Sequence, residues 1–320
     1  MKRIMLVVLV MTLLLLTACS NATKSVEANQ STSQTKKSKP EMIVGEDFDE
    51  NGGADAYNYA GDNEKSRYYK NPDFYNMESD DELTIISKFK TFQQTTEWSC
   101  GNGSALMVLN HFGKTDVSEM DLAEMMKSST DLDVPNAKPG SANNFYEYGS
   151  DVKRMYDYFN KLEGFNVVET SYQETYDESA LISENDGHSA ADIGNLKPTF
   201  SAMSLYASEN DDNTDQFVDD AKDSYFVKWL TDHLKSEQPI MVEWGDWDGH
   251  WQVIIGYDNN GTPGIGDDML IFADPYDTSD HWQDGYFYYP LERWFFMWKD
   301  RNVAPKPYQL QPYIIIDIEK

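Results

Sequence analysis

From Leu83 onward apolar residues recur first at helical and then at strand spacing. The run Ala105-Leu106-Met107-Val108-Leu109 predicts a helix that opens near Cys100 or Gly101, reaches Phe112 and stops at Gly113. A second helix is expected from Ser118, a favoured N-cap type, across Leu122, Met125 and Met126. A third should span about Asp151 to Leu162, with Val152, Met155, Tyr158, Phe159 and Leu162 on one face and Gly164 closing it. A fourth should cover about Ala221 to Lys235, with Phe226, Trp229, Leu230 and Leu234 spaced for burial. Strands follow at Ile240 to Trp244, Trp251 to Tyr257, Met269 to Ala273, Tyr286 to Tyr289 and Tyr313 to Ile318. Helices first and a mostly antiparallel sheet afterwards predict an α+β fold rather than a doubly wound one.

The polar, weakly periodic stretch 171–214 reads as an insertion placed near a ligand cleft, with a few apolar residues around Phe200 to Leu205. Upstream of the folded body the pattern changes character. Residues 2–18 carry Lys2 and Arg3, then an apolar run from Ile4 to Leu16, then Thr17-Ala18, which is the order of a secretory signal. A bilayer-spanning helix needs about 20 apolar residues, so this run is read as a signal rather than an anchor. The string Leu16-Thr17-Ala18-Cys19 resembles a bacterial lipobox, which implies a diacylated Cys19 at the mature terminus and attachment to the extracytoplasmic face of a membrane. Two acyl chains, at about 0.8 kcal/mol per buried methylene, make such an anchor durable.

From Ser20 to about Glu41 almost no apolar side chain occurs, so this part cannot offset its ordering entropy. The expected organisation is therefore a signal peptide at 1–18, an acidic flexible linker at 19–60 and one folded domain at 61–320. Asp47, Asp49, Asn51 and Gly52 have the spacing of a calcium loop, but Asn58 stands where a bidentate Glu is needed, so an acidic linker is preferred.

The 320-residue chain has 55 Asp and Glu against 26 Lys and Arg, a formal charge of -29. That excess disfavours phosphate backbones, so no nucleic-acid partner is expected, and it would attract basic peptides more than acidic ones. The only two cysteines, Cys19 and Cys100, have separate contexts and form no disulfide framework. His-Glu-x-x-His and Cys-x-x-Cys are absent, and Gly101-Asn102-Gly103 has Leu106 where a third Gly would complete a dinucleotide fingerprint. No metal or cofactor is expected.

Cys100 sits where unpaired N–H groups and the helix dipole favour a thiolate. The alternative is an inert buried thiol, the commonest fate of a free cysteine. Gln94, six residues upstream with Gln93 beside it, could bring an amide N–H to the oxyanion side of that sulfur. Among five histidines, His111 and His233 fall on or beside helices and His188 in the polar stretch, whereas His250 opens a strand after Gly249 and is the candidate base. His281 is the reserve. Asp274, ending the strand before Pro275, is the candidate to orient the imidazole, with Asp277 as alternative. Six of eight tryptophans lie between 244 and 298, where packing explains them as well as a substrate groove does.

At Gln94, Cys100-Gly101, Gly249-His250, Gly256-Tyr257-Asp258 and Asp274-Pro275 the chain resembles the papain-like cysteine peptidases related to the bacteriocin double-glycine leader peptidases, over about Phe89 to Tyr276. Asn102 stands where that family often has Pro. The resemblance implies Cys100 as nucleophile, His250 as base, Asp274 as orienter and Gln94 as oxyanion donor. It also implies a papain-like arrangement of N-terminal helices packed on a C-terminal sheet, and a peptide or protein substrate cut after small residues. Two other readings stand beside it: an amidase or acyl transferase acting on cell-wall peptides, and a lipid-anchored protein that binds peptides without cutting them.

Overall fold

The computed structural model describes residues 43–44, 53–54, 72–130, 134–141, 149–174, 199–246, 249–278, 284–299 and 311–319. Within them the elements run β1 (Ile43–Val44), β2 (Leu83–Ile85), β3 (Phe92–Gln93), α1 (Cys100–His111), α2 (Glu119–Met126), α3 (Val152–Phe159), β4 (Phe165–Thr170), α4 (Tyr225–Lys235), β5 (Ile240–Trp244), β6 (His250–Asp258), β7 (Met269–Ala273), β8 (Tyr286–Pro290), α5 (Leu291–Lys299) and β9 (Tyr313–Ile318). The expected α+β architecture is present: five helices and a seven-stranded antiparallel sheet ordered β4-β9-β5-β6-β7-β8, with β2 paired to the far end of β6. A separate parallel pair joins β1 to β3.

Local chemistry sets the helix boundaries. Ser118 accepts from the Asp121 N–H at 3.1 Å while the Asp121 carboxylate takes the Ser118 N–H at 2.8 Å, a reciprocal cap that begins α2. Asp151 caps α3, which ends at Phe159 rather than continuing to Leu162. The fourth helix begins at Tyr225, four residues later than its apolar spacing suggests. Ser224 accepts from the Val227 N–H at 2.9 Å and caps it there, and Ala221–Asp223 form a separate 3-10 turn.

β6 is the centre of the domain. Eight of its nine residues are buried, and it pairs with β5 on one side and β7 on the other. Helix α1 lies against it, with Cys100 through Leu109 all buried. Such a helix gains its stability from packing rather than from an amphipathic contrast. On the other flank Phe200, Phe226, Trp294, Trp298 and Tyr313 form an aromatic cluster, with the Trp294 and Trp298 rings stacked at 4.8 Å. Phe200 and Leu205, from the stretch read as an insertion beside a cleft, are core residues, 2 % and 0 % exposed. Met125, expected on the second helix's apolar pattern, faces outward.

The calcium-like positions Asp47 to Gly52 and Asn58, the signal and Cys19, and most of the linker lie outside the described residues. Among the described residues no helix is long and apolar enough to cross a membrane.

Candidate active site

Cys100 is the first residue of α1, so its own N–H belongs to the set that a helix leaves without an intrahelical acceptor. The first turn can approach its neighbours closely because it is built of small residues. At Gly101 a Cβ would lie 3.0 Å from the Ser150 Cβ and 3.4 Å from the Trp251 ring. At Gly103 it would lie 2.8 Å from the Pro275 Cβ, closer than carbon atoms tolerate. The absence of a side chain there lets the turn that follows β7 rest on α1. Asn102, in place of a proline, donates to Ser128 Oγ at 2.9 Å, and Ser128 is in turn hydrogen-bonded to Ser150.

His250 opens β6 behind Gly249, whose φ of +129° is a conformation that L side chains rarely adopt. The imidazole Nε2 bonds Asp274 Oδ1 at 2.6 Å, and both residues are 3 % exposed. The Cys100 thiol also acts on this ring, by hydrogen bonding and by charge, in favour of its protonated form. Burial pushes the His250 pKa down, but the charge and hydrogen bond of Asp274, with a further contribution from Cys100, outweigh it and hold the imidazolium well above the usual histidine range.

Asp274 is itself anchored. Its Oδ1 also accepts the Tyr276 N–H at 2.8 Å, and its Oδ2 accepts from Gln252 Nε2 at 2.7 Å. Gln252 Oε1 then accepts from Trp244 Nε1 at 2.6 Å. Strand register produces this chain: Trp244 faces His250, and extending the Val253–Ala273 pairing by one residue sets Gln252 across from Asp274. His250 and Gln252, two apart on a strand, share a face. That spacing was readable in the sequence, although Gln252 was not singled out there.

Gln94 is 1 % exposed and lies in the loop between β3 and α1. Its N–H donates to the Pro275 carbonyl at 2.8 Å, which ties the loop to the turn carrying Asp274. One Nε2 proton goes to the Thr96 carbonyl at 2.7 Å, leaving the second for another acceptor. Gln93 pairs instead with Val44 in the small sheet. The loop is fastened by Glu119, a residue the sequence did not flag. Glu119 Oε1 accepts from Ser99 Oγ at 2.5 Å and from the Thr95 N–H at 3.1 Å, and Oε2 accepts from Thr95 Oγ1 at 2.6 Å.

The other candidates are placed elsewhere. His111 sits between the Phe89 and Phe112 rings, and burial pushes its pKa down. His233 contacts Gln238 at 2.8 Å and Glu169 at 3.3 Å. His188 and His281 lie outside the described residues. Asp277 accepts the Gly285 N–H at 3.1 Å, and the carboxylate on the His250 ring is that of Asp274. Trp244, Trp251, Trp294 and Trp298 are core side chains, while Trp247 and Trp282 lie outside the described residues. Among the described residues no group of three or more His, Cys, Asp or Glu could hold a metal ion. A thiol, an imidazole and a carboxylate in series on rigid elements can carry nucleophilic attack with proton transfer.

Compared with known proteins, residues 86–294 match the model described as the Peptidase_C39 like family. No curated protein and no solved structure matches the chain.

Proposed function

The chain belongs to the Peptidase_C39 like family, and from that membership together with the placement of three side chains we propose that it is a cysteine peptidase with Cys100 as nucleophile, His250 as acid and base, and Asp274 as orienter. The observation that carries this reading is the 2.6 Å bond from His250 to Asp274 on a ring that also contacts the Cys100 thiol. An inert structural cysteine has no use for a buried, carboxylate-held imidazole beside it.

In this reading Cys100 Sγ attacks the scissile carbonyl carbon and the carbonyl π pair moves to oxygen. The Cys100 N–H and the second Nε2 proton of Gln94 receive that charge, a donor of this kind being worth about 3–4 kcal/mol. The oxyanion collapses, the C–N bond breaks, and the His250 imidazolium gives its proton to the departing amine, leaving a thioester on Cys100. Water then attacks the thioester as His250 takes a proton, the C–S bond breaks, and the thiolate–imidazolium pair is restored with release of the acid. The substrate is a peptide or protein segment, and the likeness to leader peptidases favours small residues before the cleaved bond.

The test is alkylation by iodoacetamide, at graded pH, of a soluble form lacking residues 1–19. Cys100 should react rapidly at pH 5 in the native protein and slowly after His250→Ala. Ordinary thiol behaviour in both would remove the peptidase reading. We also propose attachment to the extracytoplasmic face of a bacterial membrane through acyl chains on Cys19, supported by Leu16-Thr17-Ala18-Cys19. Partition of the full chain into detergent, abolished by Cys19→Ala, is the expected result. Equal partition of both forms would discard the anchor.

A further inference from the structure

We propose that Glu119 is a positioning residue that fixes the loop between Gln94 and Cys100 in the shape that receives the oxyanion. The inference rests on Cys100 being the nucleophile and goes beyond it.

Residues 94–99 form no regular element apart from the cap position of α1, so backbone ladders do not hold them. Beyond the Gln94 N–H bond to the Pro275 carbonyl, side chains do. Glu119, at the start of α2 and 2 % exposed, receives three donors from two residues of this loop: the Thr95 N–H, the Thr95 hydroxyl and the Ser99 hydroxyl. Ser99 is the residue immediately before Cys100. Its Oγ also accepts from Thr96 Oγ1 at 2.7 Å, while the Thr96 carbonyl takes one amide proton of Gln94. One buried carboxylate thus reaches both proposed oxyanion donors, the Cys100 N–H through Ser99 and the Gln94 amide through Ser99 and Thr96.

The cap on α2 is made by Ser118 and Asp121, so Glu119 is not needed to begin its own helix. Because three hydrogen bonds converge on this one carboxyl group, its removal would release Thr95 and Ser99 together. Thr95, Thr96 and Ser99 are all 0 % exposed, so water does not replace a lost partner without rearrangement.

The position of the oxyanion donors and the reactivity of the thiolate are separable by choice of reagent. Alkylation by iodoacetamide passes through no tetrahedral oxyanion, whereas acylation by p-nitrophenyl acetate does. In the 1–19-deleted protein, Glu119→Ala should slow the acylation burst by about tenfold or more while changing the alkylation rate at pH 5 by less than about twofold. Glu119→Gln, which keeps the volume, should fall between and decides the matter if the alanine variant does not fold. Loss of both rates by the same factor in the glutamine variant, or loss of neither, overturns the positioning role. A native protein that is neither acylated nor alkylated faster than Cys100→Ala overturns the peptidase reading instead.

Discussion

Gln252 donates Nε2–H to Asp274 Oδ2 at 2.7 Å, so the carboxylate that holds the His250 ring is fixed through its other oxygen. Because Trp244 Nε1 closes on Gln252 Oε1, the amide cannot turn without breaking both bonds. Replacing Gln252 by Leu removes a hydrogen bond to a charged group, a loss of about 1.5–3 kcal/mol, and leaves Trp244 Nε1 buried without an acceptor. Peptidase turnover should fall roughly ten- to hundredfold. Turnover within twofold of the native value would show that Asp274 holds its place unaided.

Asp274→Asn removes the charge that keeps His250 protonated. A folded-state histidine pKa raised above its unfolded value of about 6.5 stabilises the fold below that pH, and the contribution disappears as pH rises through the folded value. The variant should therefore lose more stability at pH 6 than at pH 10, up to about 3–5 kcal/mol where the pair is charged. Urea unfolding at both values measures this. Equal losses would mean that the ring is neutral in the native protein.

How far the site could be read in the sequence depends on whether its parts are local. Cys100 at a helix start and His250 at a strand start were legible because the element and the residue lie in one short window. Asp274 was legible because two consecutive antiparallel strands bring their ends together. Glu119 was not, since nothing in Ser118-Glu119 indicates that a buried carboxylate there will collect donors from Thr95 and Ser99, some twenty residues upstream. Strand β4 was missed because no residue of it is fully buried and its pattern lacks a strong apolar face. Helix α5 was missed because Trp294, Phe295, Phe296 and Trp298 have the composition of a strand, and only their packing on Phe226 and Phe200 makes them helical.

Gly103 makes a prediction about coupling between fold and site. In a helix interior Gly→Ala ordinarily gains about 0.5–1 kcal/mol. Here the added methyl would meet the Pro275 ring at 2.8 Å, and neither the helix nor the turn can yield cheaply. Gly103→Ala should be destabilised by about 1–3 kcal/mol net of that gain. It should also lose rapid alkylation of Cys100 at pH 5, because Pro275 adjoins Asp274. A melting temperature at or above that of the native protein would contradict this.

Asp268 is 0 % exposed, bonded through Oδ2 to the Tyr257 hydroxyl at 2.6 Å. Burial pushes its pKa up to about 6, and the nearby charges of Asp267, Asp258 and Asp220 act in the same direction against the Tyr257 bond. For a carboxyl raised in this way, the fold is more stable when the group is protonated, and stability is lost as pH rises from about 4 through 6. Ionisation costs on the order of 2–3 kcal/mol. Asp268→Asn, whose amide oxygen can still accept from Tyr257, should gain stability over the native protein at pH 8 and about half as much at pH 5. The same gain at both values would show that this carboxyl titrates normally.

The pairing of Ile43–Val44 with Phe92–Gln93 bears on how the protein should be produced. Among the described residues, a recombinant form beginning at residue 61 would retain every helix and the whole large sheet, yet it would leave β3 with a bare edge next to Gln94. Unpaired edges recruit other chains, so such a form would invite self-association close to Cys100. A form starting at residue 20 keeps that edge covered by its own chain, which makes the choice of first residue part of any measurement on Cys100.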